Sequence, residues 1–235
     1  MQEKPAATTQ AAHAARSLWH GRFQGVLSTL SVEHAGHPFG SVVPYCLDGD
    51  GLPLLLLSHL AQHTRNLVAD PRCSLTIAEP VAGDLQRSGR LTCIAECVPL
   101  SGDERAPGAR YLRYYPSGVA YFEALNFRFY RLRPLRFHFN GGFATARWLS
   151  PPRVVSASPF SEREELQLLG EIEASLGELL ERLLPASDAT RDEPVCAVGL
   201  DATGLDLRRG DRLAHTPFTT HAGDSASVLA QLARL

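Results

Sequence analysis

Seven polar side chains cluster between residues 58 and 66, directly after a short apolar run: Ser58, His59, Gln62, His63, Thr64, Arg65 and Asn66. Hydroxyls, imidazoles, an amide and a guanidinium can hold a phosphate group, helped by the free backbone N–H groups at the start of a helix. In an alternative interpretation, Ser58 is a helix N-cap, and Gln62 and His63 lie on a solvated first turn. Composition alone favours this second interpretation, because polar strand-to-helix turns are common.

The elements around this turn must position those side chains. Leu54 to Leu57 form a continuous apolar run, too short for an isolated helix, which predicts a strand covered on both faces. Asp70-Pro71 ends the following short helix, because the residue before a proline disfavours the α conformation. A second strand is predicted at residues 72–79. The polar cluster therefore lies where a strand ends and a helix begins.

The rest of the first 150 residues predicts mostly antiparallel strands. Strands are predicted at residues 24–32, 39–47, 89–100, 127–132 and 135–140, and helices at residues 10–20, 103–115 and 119–125. Asp48-Gly49-Asp50-Gly51 predicts a tight hairpin turn, since glycine readily adopts positive φ. Several strands with short turns and one or two crossover helices indicate a small closed barrel at residues 10–150, preceded by a disordered tail at residues 1–9.

The C-terminal part predicts a small α+β domain at residues 161–235, after a proline-rich linker at residues 151–160. A long helix is predicted at residues 161–184, with Ser161 and Glu164 forming a capping box. Its glutamates are interpreted as a solvated face: Glu162, Glu164, Glu165, Glu171, Glu173, Glu178 and Glu181. Two hairpin strands at residues 195–200 and 205–207 and a last helix at residues 225–235 complete this domain.

Composition excludes several classes of protein. The apolar fraction of 44% and the charged fraction of 20% are ordinary for a soluble globular chain of 235 residues. A formal net charge of −2 gives no electrostatic case for binding nucleic acid. No apolar run approaches transmembrane length and no signal peptide is recognisable, so we expect a cytoplasmic protein that does not bind membranes.

The cysteines and the short motifs narrow the chemistry further. The five cysteines are scattered, which predicts reduced thiols and no zinc site or disulfide framework: Cys46, Cys73, Cys93, Cys97 and Cys196. The sequence contains no G-x-S-x-G elbow, P-loop or dinucleotide fingerprint. No metal site and no catalytic residue can be assigned from these patterns.

One longer pattern carries a family resemblance. The string S-x4-H-T-x-N-L-x-x-D-P-R-x-S-L runs from Ser58 to Leu75. It resembles the pyridoxamine 5′-phosphate oxidase-like, FMN-binding split-barrel superfamily, and within it the branch associated with haem utilisation. The likeness covers residues 14–150, and G-L-D-x-x-G-L-D-L at residues 199–207 resembles the domain appended in that branch. The resemblance implies an α+β fold, in which a split β-barrel is followed by a small α+β domain.

The resemblance also implies a cofactor and a site. FMN would be the cofactor, bound between the two barrels of a homodimer. The residues that match ligand-contacting positions are Ser41, Val42, Val43, Pro44, Ser58, His63, Thr64, Asn66, Arg90 and Gly142. Ser58, His63, Thr64 and Asn66 would hold the phosphate; the strand at residues 41–44 and Arg90 would contact the flavin ring. Gly142 belongs to a G-G-F segment, Gly141 to Phe143, which would lie near the ligand.

Departures from the oxidase pattern leave three functions open. The basic pairs that those oxidases carry on the strand at residues 41–46 and in the turn near His63 are missing, so oxidation of pyridoxamine phosphate is not expected. The leading hypothesis is an FMN-binding protein, with oxidoreduction of an unidentified small molecule as its activity if it is an enzyme. The second is a haem-binding or haem-utilisation protein. The third is a non-catalytic interaction protein that keeps the barrel and has lost its cofactor.

The haem hypothesis needs an axial ligand, which is usually a histidine. In the resembling proteins the first helix of the appended domain often carries one. The corresponding helix here, at residues 170–183, contains no histidine. The remaining candidates are His63, His138, His215 and His221.

Overall fold

The computed structural model describes residues 5–80, 83–102, 105–142 and 145–235. The helices of these residues are α1 (Pro5–Gly21), α2 (Gln62–Ala69), α3 (Arg105–Tyr114), α4 (Gly118–Ala124), α5 (Glu162–Ser175), α6 (Gly177–Leu183) and α7 (Ser225–Leu232). The strands are β1 (Gln24–Leu30), β2 (Pro38–Pro44), β3 (Cys46–Leu47), β4 (Pro53–Ser58), β5 (Arg72–Ala78), β6 (Arg90–Pro99), β7 (Phe127–Asn140), β8 (Ala146–Leu149), β9 (Val195–Leu200), β10 (Gly204–Arg209) and β11 (Arg212–Pro217).

The larger sheet is the predicted split barrel. Its strand order is β2-β1-β5-β6-β7-β4-β3, with β8 added to β7, and the paired strands are antiparallel. β4 is buried at every position from Pro53 to Leu57, as its apolar run predicts. β7 is one strand of 14 residues where the sequence predicts two strands, because Pro134 is accommodated at an irregularity in the pairing with β6. The α+β split-barrel prediction is confirmed.

Helix α1 closes one side of the barrel. Its apolar face, including Ala15 and Leu18, is buried in the main core. Trp19 packs edge-on against Phe137, with ring centroids 4.9 Å apart, and its indole N–H donates to the Gly51 carbonyl at 3.0 Å. The helix begins at Pro5, so residues 5–9 are helical and the prediction of a disordered tail there is wrong.

The C-terminal residues form a second, smaller sheet. Strands β11, β10 and β9 pair antiparallel in that order, and α5, α6 and α7 bury their apolar faces in a separate cluster on this sheet. The predicted capping box is present, with Ser161 Oγ accepting from the Glu164 N–H. The predicted long helix ends at Ser175, since Leu176 leaves the helical conformation, and a second helix follows. Strand β11 is absent from the sequence prediction.

The two sheets are joined through buried contacts. Glu165 is buried and forms an ion pair with Arg110 on α3, while Arg113 Nη2 lies 3.1 Å from the second oxygen of its carboxylate. The interpretation of Glu165 as part of a solvated face is therefore wrong. The segment at residues 151–160 is also packed, with Val154 fully buried in the barrel core. The division into a barrel domain, a linker and a C-terminal domain remains a prediction.

Two further features bear on the environment of the chain. All five cysteines are free thiols, and Cys46, Cys93 and Cys97 are buried. Among the described residues, no helix combines the length and the apolar character needed to cross a bilayer.

Candidate functional site

A cavity of about 380 Å³ lies where the barrel meets α3 and α4, a volume within the range of small-molecule sites. Its lining comes from β2, β4, the first turn of α2 with the residue before it, α3, α4 and the residues between them, and the start of β7. Five of the ten predicted ligand residues line it: Val42, Val43, Pro44, Ser58 and His63. The predicted strand and the predicted strand-to-helix turn thus meet at one cavity.

The end of β4 and the start of α2 place the polar residues of the cavity. Ser58 pairs with Phe127 at the end of the β4–β7 ladder, and its hydroxyl accepts from the Leu60 N–H at 3.2 Å. The N-cap of α2 is Ala61, which offers no side-chain acceptor. Ser58 is therefore not the helix cap, and its hydroxyl remains available at the cavity wall.

Among the histidines, aspartates and glutamates of the described residues, only His63 lines this cavity. Its Nδ1 lies 3.2 Å from the Ser41 hydroxyl, and its Nε2 is buried without a hydrogen-bond partner. Burial lowers the pKa of His63, because the cavity solvates the imidazolium poorly. The ring is therefore neutral near pH 7. If Nδ1–H donates to Ser41, the Nε2 lone pair is free.

Thr64 and Asn66 do not line the cavity. Asn66 is fully buried at 0% exposure, and its amide N–H donates to Thr29 Oγ1 at 2.9 Å. Its amide oxygen accepts from the Val32 N–H at 3.1 Å and from Gln62 Nε2 at 2.9 Å. These bonds tie α2 to β1 and to the loop after it. Within one chain, Asn66 is placed as a structural residue rather than as a phosphate donor.

Arg90 and Gly142 lie at the opposite end of the barrel. Arg90 pairs with Asn140 at the last residue of β7, whereas Phe127 at the cavity is its first residue. Gly142 has a φ of +100°, and a side chain there would also approach the Arg87 carbonyl. These two constraints account for a glycine at this position, and no ligand is needed to explain it. Phe143 of the predicted G-G-F segment lies outside the described residues. One chain therefore does not bring Arg90 and Gly142 to the cavity.

An aromatic wall completes the cavity, and sequence reasoning assigned it no ligand role. Tyr111, Tyr115, Tyr121 and Phe127 line one side, and the rings of Tyr121 and Phe127 stack with centroids 5.2 Å apart. Burial raises the pKa of Tyr111 and Tyr115, so both hydroxyls stay protonated. The available signal was the run of tyrosines just before the helix-breaking Pro116. The wall can pack against a flat ring system.

The other histidines considered as haem ligands lie elsewhere. His138 is on the outer face of the sheet, with its ring centroid 4.8 Å from that of Trp148. His215 is bound to Asp206, and His221 is exposed. Of the four candidates, His63 is the one placed in the aromatic cavity.

The curled antiparallel sheet and its helices place the chain among the split β-barrel proteins, as the sequence resemblance predicted. More specifically, the chain belongs to the CREG beta-barrel family, whose model matches residues 6–154. That match covers α1 apart from Pro5 and the whole larger sheet.

Three individual proteins illustrate the relationship. The chain is 36% identical, over 146 residues, to the chloroplastic "Non-canonical heme oxygenase HOZ" of Arabidopsis thaliana; the match covers 61% of the chain and 44% of that relative, so the chain spans less than half the relative's length. It is 26% identical to a heme binding protein from Mycobacterium smegmatis, with a TM-score of 0.57, covering 100% of the chain and 96% of that structure.

The third relative shares the fold over the whole length. The protein Atu2129 from Agrobacterium tumefaciens, described as of unknown function, superposes with a TM-score of 0.80 at 24% identity and covers 100% of the chain and 99% of its own. At that level of identity the likeness concerns the fold, including the C-terminal sheet. Two of the three relatives are thus named for haem.

Proposed function

We propose that this protein binds haem in the cavity between β2, β4 and helices α3 and α4, with His63 as the iron ligand. The observation that carries the proposal is the buried Nε2 of His63, which lines the cavity and has no hydrogen-bond partner. A histidine that ligates metal commonly binds a polar group through its other ring nitrogen, and Ser41 is placed for that role. The lowered pKa of His63 favours the neutral, ligating form.

The remaining walls fit a large, flat and mostly apolar group. Tyr111, Tyr121 and Phe127 offer ring faces and edges, and the β2 segment at Val42 and Val43 also lines the cavity. Bound haem would supply a redox-active iron, while these side chains would orient the macrocycle and exclude water from it. The names of the Arabidopsis and Mycobacterium relatives support haem as the ligand.

FMN is the second candidate for the same cavity. Ser58, His63 and the strand at residues 42–44 line it, as the resemblance to flavin-binding barrels implies. A flavin phosphate carries negative charge and is usually held by cations. Among the described lining residues of this cavity there is no arginine or lysine, and Asn66 is already hydrogen-bonded. These observations weigh against a flavin phosphate inside this cavity.

Absorption titration of the purified protein tests the proposal. We expect haemin to give a saturable Soret band in the wild type, and His63→Ala to lose or shift that band. His59→Ala is the matched control, since His59 lies on the same turn but is exposed. Saturable FMN binding without a haemin complex would instead support FMN as the ligand of this cavity. An unchanged haemin spectrum in His63→Ala would refute His63 as the ligand.

We further propose that the protein is a homodimer, formed through the outer face of the larger sheet. A row of side chains crosses that face from Val42 and Val26 to His138 and Trp148. Val42 is 72% and Trp148 54% exposed, and no acidic residue interrupts this row. A second copy on this face is also a way to bring Arg90 and Gly142, which lie far from the cavity in one chain, to the ligand.

Sedimentation velocity tests the dimer. Val26→Arg places a charge in the middle of the row, so we expect it to shift the protein towards monomer. Val68→Arg is the control, because Val68 is 75% exposed on α2 and does not belong to the row. A monomeric wild type, or a Val26→Arg variant that remains dimeric, would contradict this interface.

A further inference from the structure

A second cavity, of about 570 Å³, lies between α1 and β11, where the barrel meets the C-terminal sheet. It shares no lining residue with the cavity around His63. Its basic side chains come from both parts of the chain: His13, Arg16, His20, Arg22, His215 and His221. No aspartate or glutamate is among its described lining residues, and its permanent positive charges are those of Arg16 and Arg22.

His20 presents a buried, unpaired nitrogen to this cavity. The residue is only 5% exposed, and its Nδ1 lies 2.9 Å from Asp201 Oδ2. The carboxylate can only accept, so the hydrogen is on Nδ1. The other oxygen of Asp201 accepts from both the backbone N–H and the hydroxyl of Thr203, each at 2.6 Å. Asp201 therefore fixes the His20 ring, while Nε2 has no hydrogen-bond partner.

His215 forms a parallel arrangement on the opposite wall. Its Nδ1 lies 2.6 Å from Asp206 Oδ1, and the Tyr114 hydroxyl donates to the other oxygen at 2.6 Å. Burial alone would lower the pKa of His215, but the hydrogen bond to Asp206 and its negative charge raise it. The rings of His20 and His215 are 6.2 Å apart, so both imidazoles belong to one cluster.

Arg22 adds an unsatisfied donor. Its Nη1 donates to the Gly21 carbonyl at 2.9 Å, but its buried Nε has no acceptor. A guanidinium has only donors and stays charged at every physiological pH. The nearby carboxylates of Asp201 and Asp206 are already occupied by other donors. The cavity thus holds the fixed positive charge of Arg22 and its buried Nε–H, which needs an oxygen acceptor.

We propose that this cleft binds a small organic anion, whose carboxylate or phosphate oxygens accept a hydrogen bond from Arg22 Nε, beside the buried Nε2 of His20. The described residues contain no group of three or more histidine, cysteine, aspartate or glutamate side chains placed to hold a metal ion. Cavities at the junction of two structural units are common ligand sites. This proposal does not depend on haem binding at His63.

Isothermal titration calorimetry with citrate and with inorganic phosphate tests the proposal. We expect the wild type to bind at least one of them, and Arg22→Gln to weaken that binding about ten-fold or more, as for loss of a charge-assisted hydrogen bond. Binding of citrate alone would indicate a carboxylate ligand, and binding of phosphate alone a phosphate ligand. Arg163→Gln is the matched control, since Arg163 is exposed on α5 and does not line the cleft.

A second variant tests the same cleft in case Arg22→Gln does not fold. Ser17 is exposed on α1 and lines the cleft, so Ser17→Trp should block binding while keeping every cationic group. A wild type that binds neither probe at millimolar concentration would overturn the proposal, as would unchanged affinity in both variants. Haemin titration of the same variants separates the two cavities. We expect Arg22→Gln to keep the Soret band that His63→Ala loses, and its loss in Arg22→Gln would overturn a separate anion site.

Discussion

Removal of the Glu165 carboxylate should destabilise the protein strongly, because that carboxylate joins three elements. Glu165 on α5 forms an ion pair with Arg110 on α3, and the same oxygen accepts from the Leu200 N–H on β9 at 3.0 Å. The Glu165 side chain is 6% exposed and those of Arg110 and Arg113 are 10% and 19% exposed. Water therefore screens the pair poorly, and Glu165→Ala leaves buried cations without their carboxylate partner.

The magnitude follows from that burial. Breaking one side of a buried ion pair typically costs about 3–5 kcal/mol, a large fraction of the stability of a domain. Arg110 keeps one bond, from Nε to the Leu47 carbonyl at 2.7 Å, which places the expected loss in that range rather than above it. Glu165→Gln retains an acceptor for Leu200, so we expect a smaller loss of about 1–3 kcal/mol.

The effect can be measured by urea unfolding. The unfolding is monitored by circular dichroism and by the fluorescence of Trp19, which is buried in the barrel core. Glu162→Ala on the same helix is the control, since Glu162 is exposed and should change the free energy of unfolding by less than about 1 kcal/mol. If Glu165→Ala were no more destabilising than Glu162→Ala, the inference of a buried ion pair between the two sheets would be refuted.

Three further predictions concern buried contacts. Asn66→Ala should lower the free energy of unfolding by about 2–4 kcal/mol, because it leaves buried hydrogen-bond partners unpaired, and urea unfolding checks this. Gly199→Ala should cost at least about 1–3 kcal/mol in the same assay, since its new Cβ would overlap the hydroxyl of buried Tyr114. The raised pKa of His215 means that its bond to Asp206 stabilises the fold most below about pH 6.5. The stability advantage of the wild type over His215→Gln should therefore shrink as the pH rises from that value.

Two of these predictions have a matched control. Gly170→Ala in the middle of α5 meets no neighbour, so it should be neutral or stabilising, unlike Gly199→Ala. His221→Gln changes an exposed histidine of the same cleft and should leave the pH dependence of stability unchanged. Asn66→Ala with a loss of ligand affinity but normal stability would contradict the structural role of Asn66. A wild-type advantage that grows with pH would contradict the ion pair at His215.

Local sequence patterns predict the barrel well because its strands are marked by short-range signals. The apolar run at residues 54–57, the glycine-rich turn at residues 48–51 and the proline after Asp70 each act within a few residues. The boundaries of helices and strands are harder to predict from sequence where tertiary packing determines them. The first turns of α1 form ahead of the predicted start at Gln10, on a helix whose later residues pack in the barrel core.

Only part of the candidate site can be predicted from the sequence. The strand at residues 42–44 and the turn with Ser58 and His63 are identifiable by the resemblance, and the structure brings them together. Asn66 matches the same pattern, yet its amide is used inside the fold, since a polar residue at a helix start can bind a ligand or the backbone equally well. The aromatic wall comes from residues 111–127, more than 40 residues further along the chain, so no local spacing reveals it.

The two histidines with shifted pKa values show why residue type alone does not assign chemistry. His63 is half-buried with only a neutral hydroxyl beside it, so desolvation dominates and the ring is neutral, which suits iron. His215 is also buried, but Asp206 lies directly opposite it on the neighbouring strand, so the attraction to that carboxylate raises the pKa of His215 and favours the protonated ring. That cross-strand pair can be read from the sequence only if β11 is predicted, because the pairing register places the two residues side by side. The missing strand, rather than a missing motif, therefore concealed the second cavity.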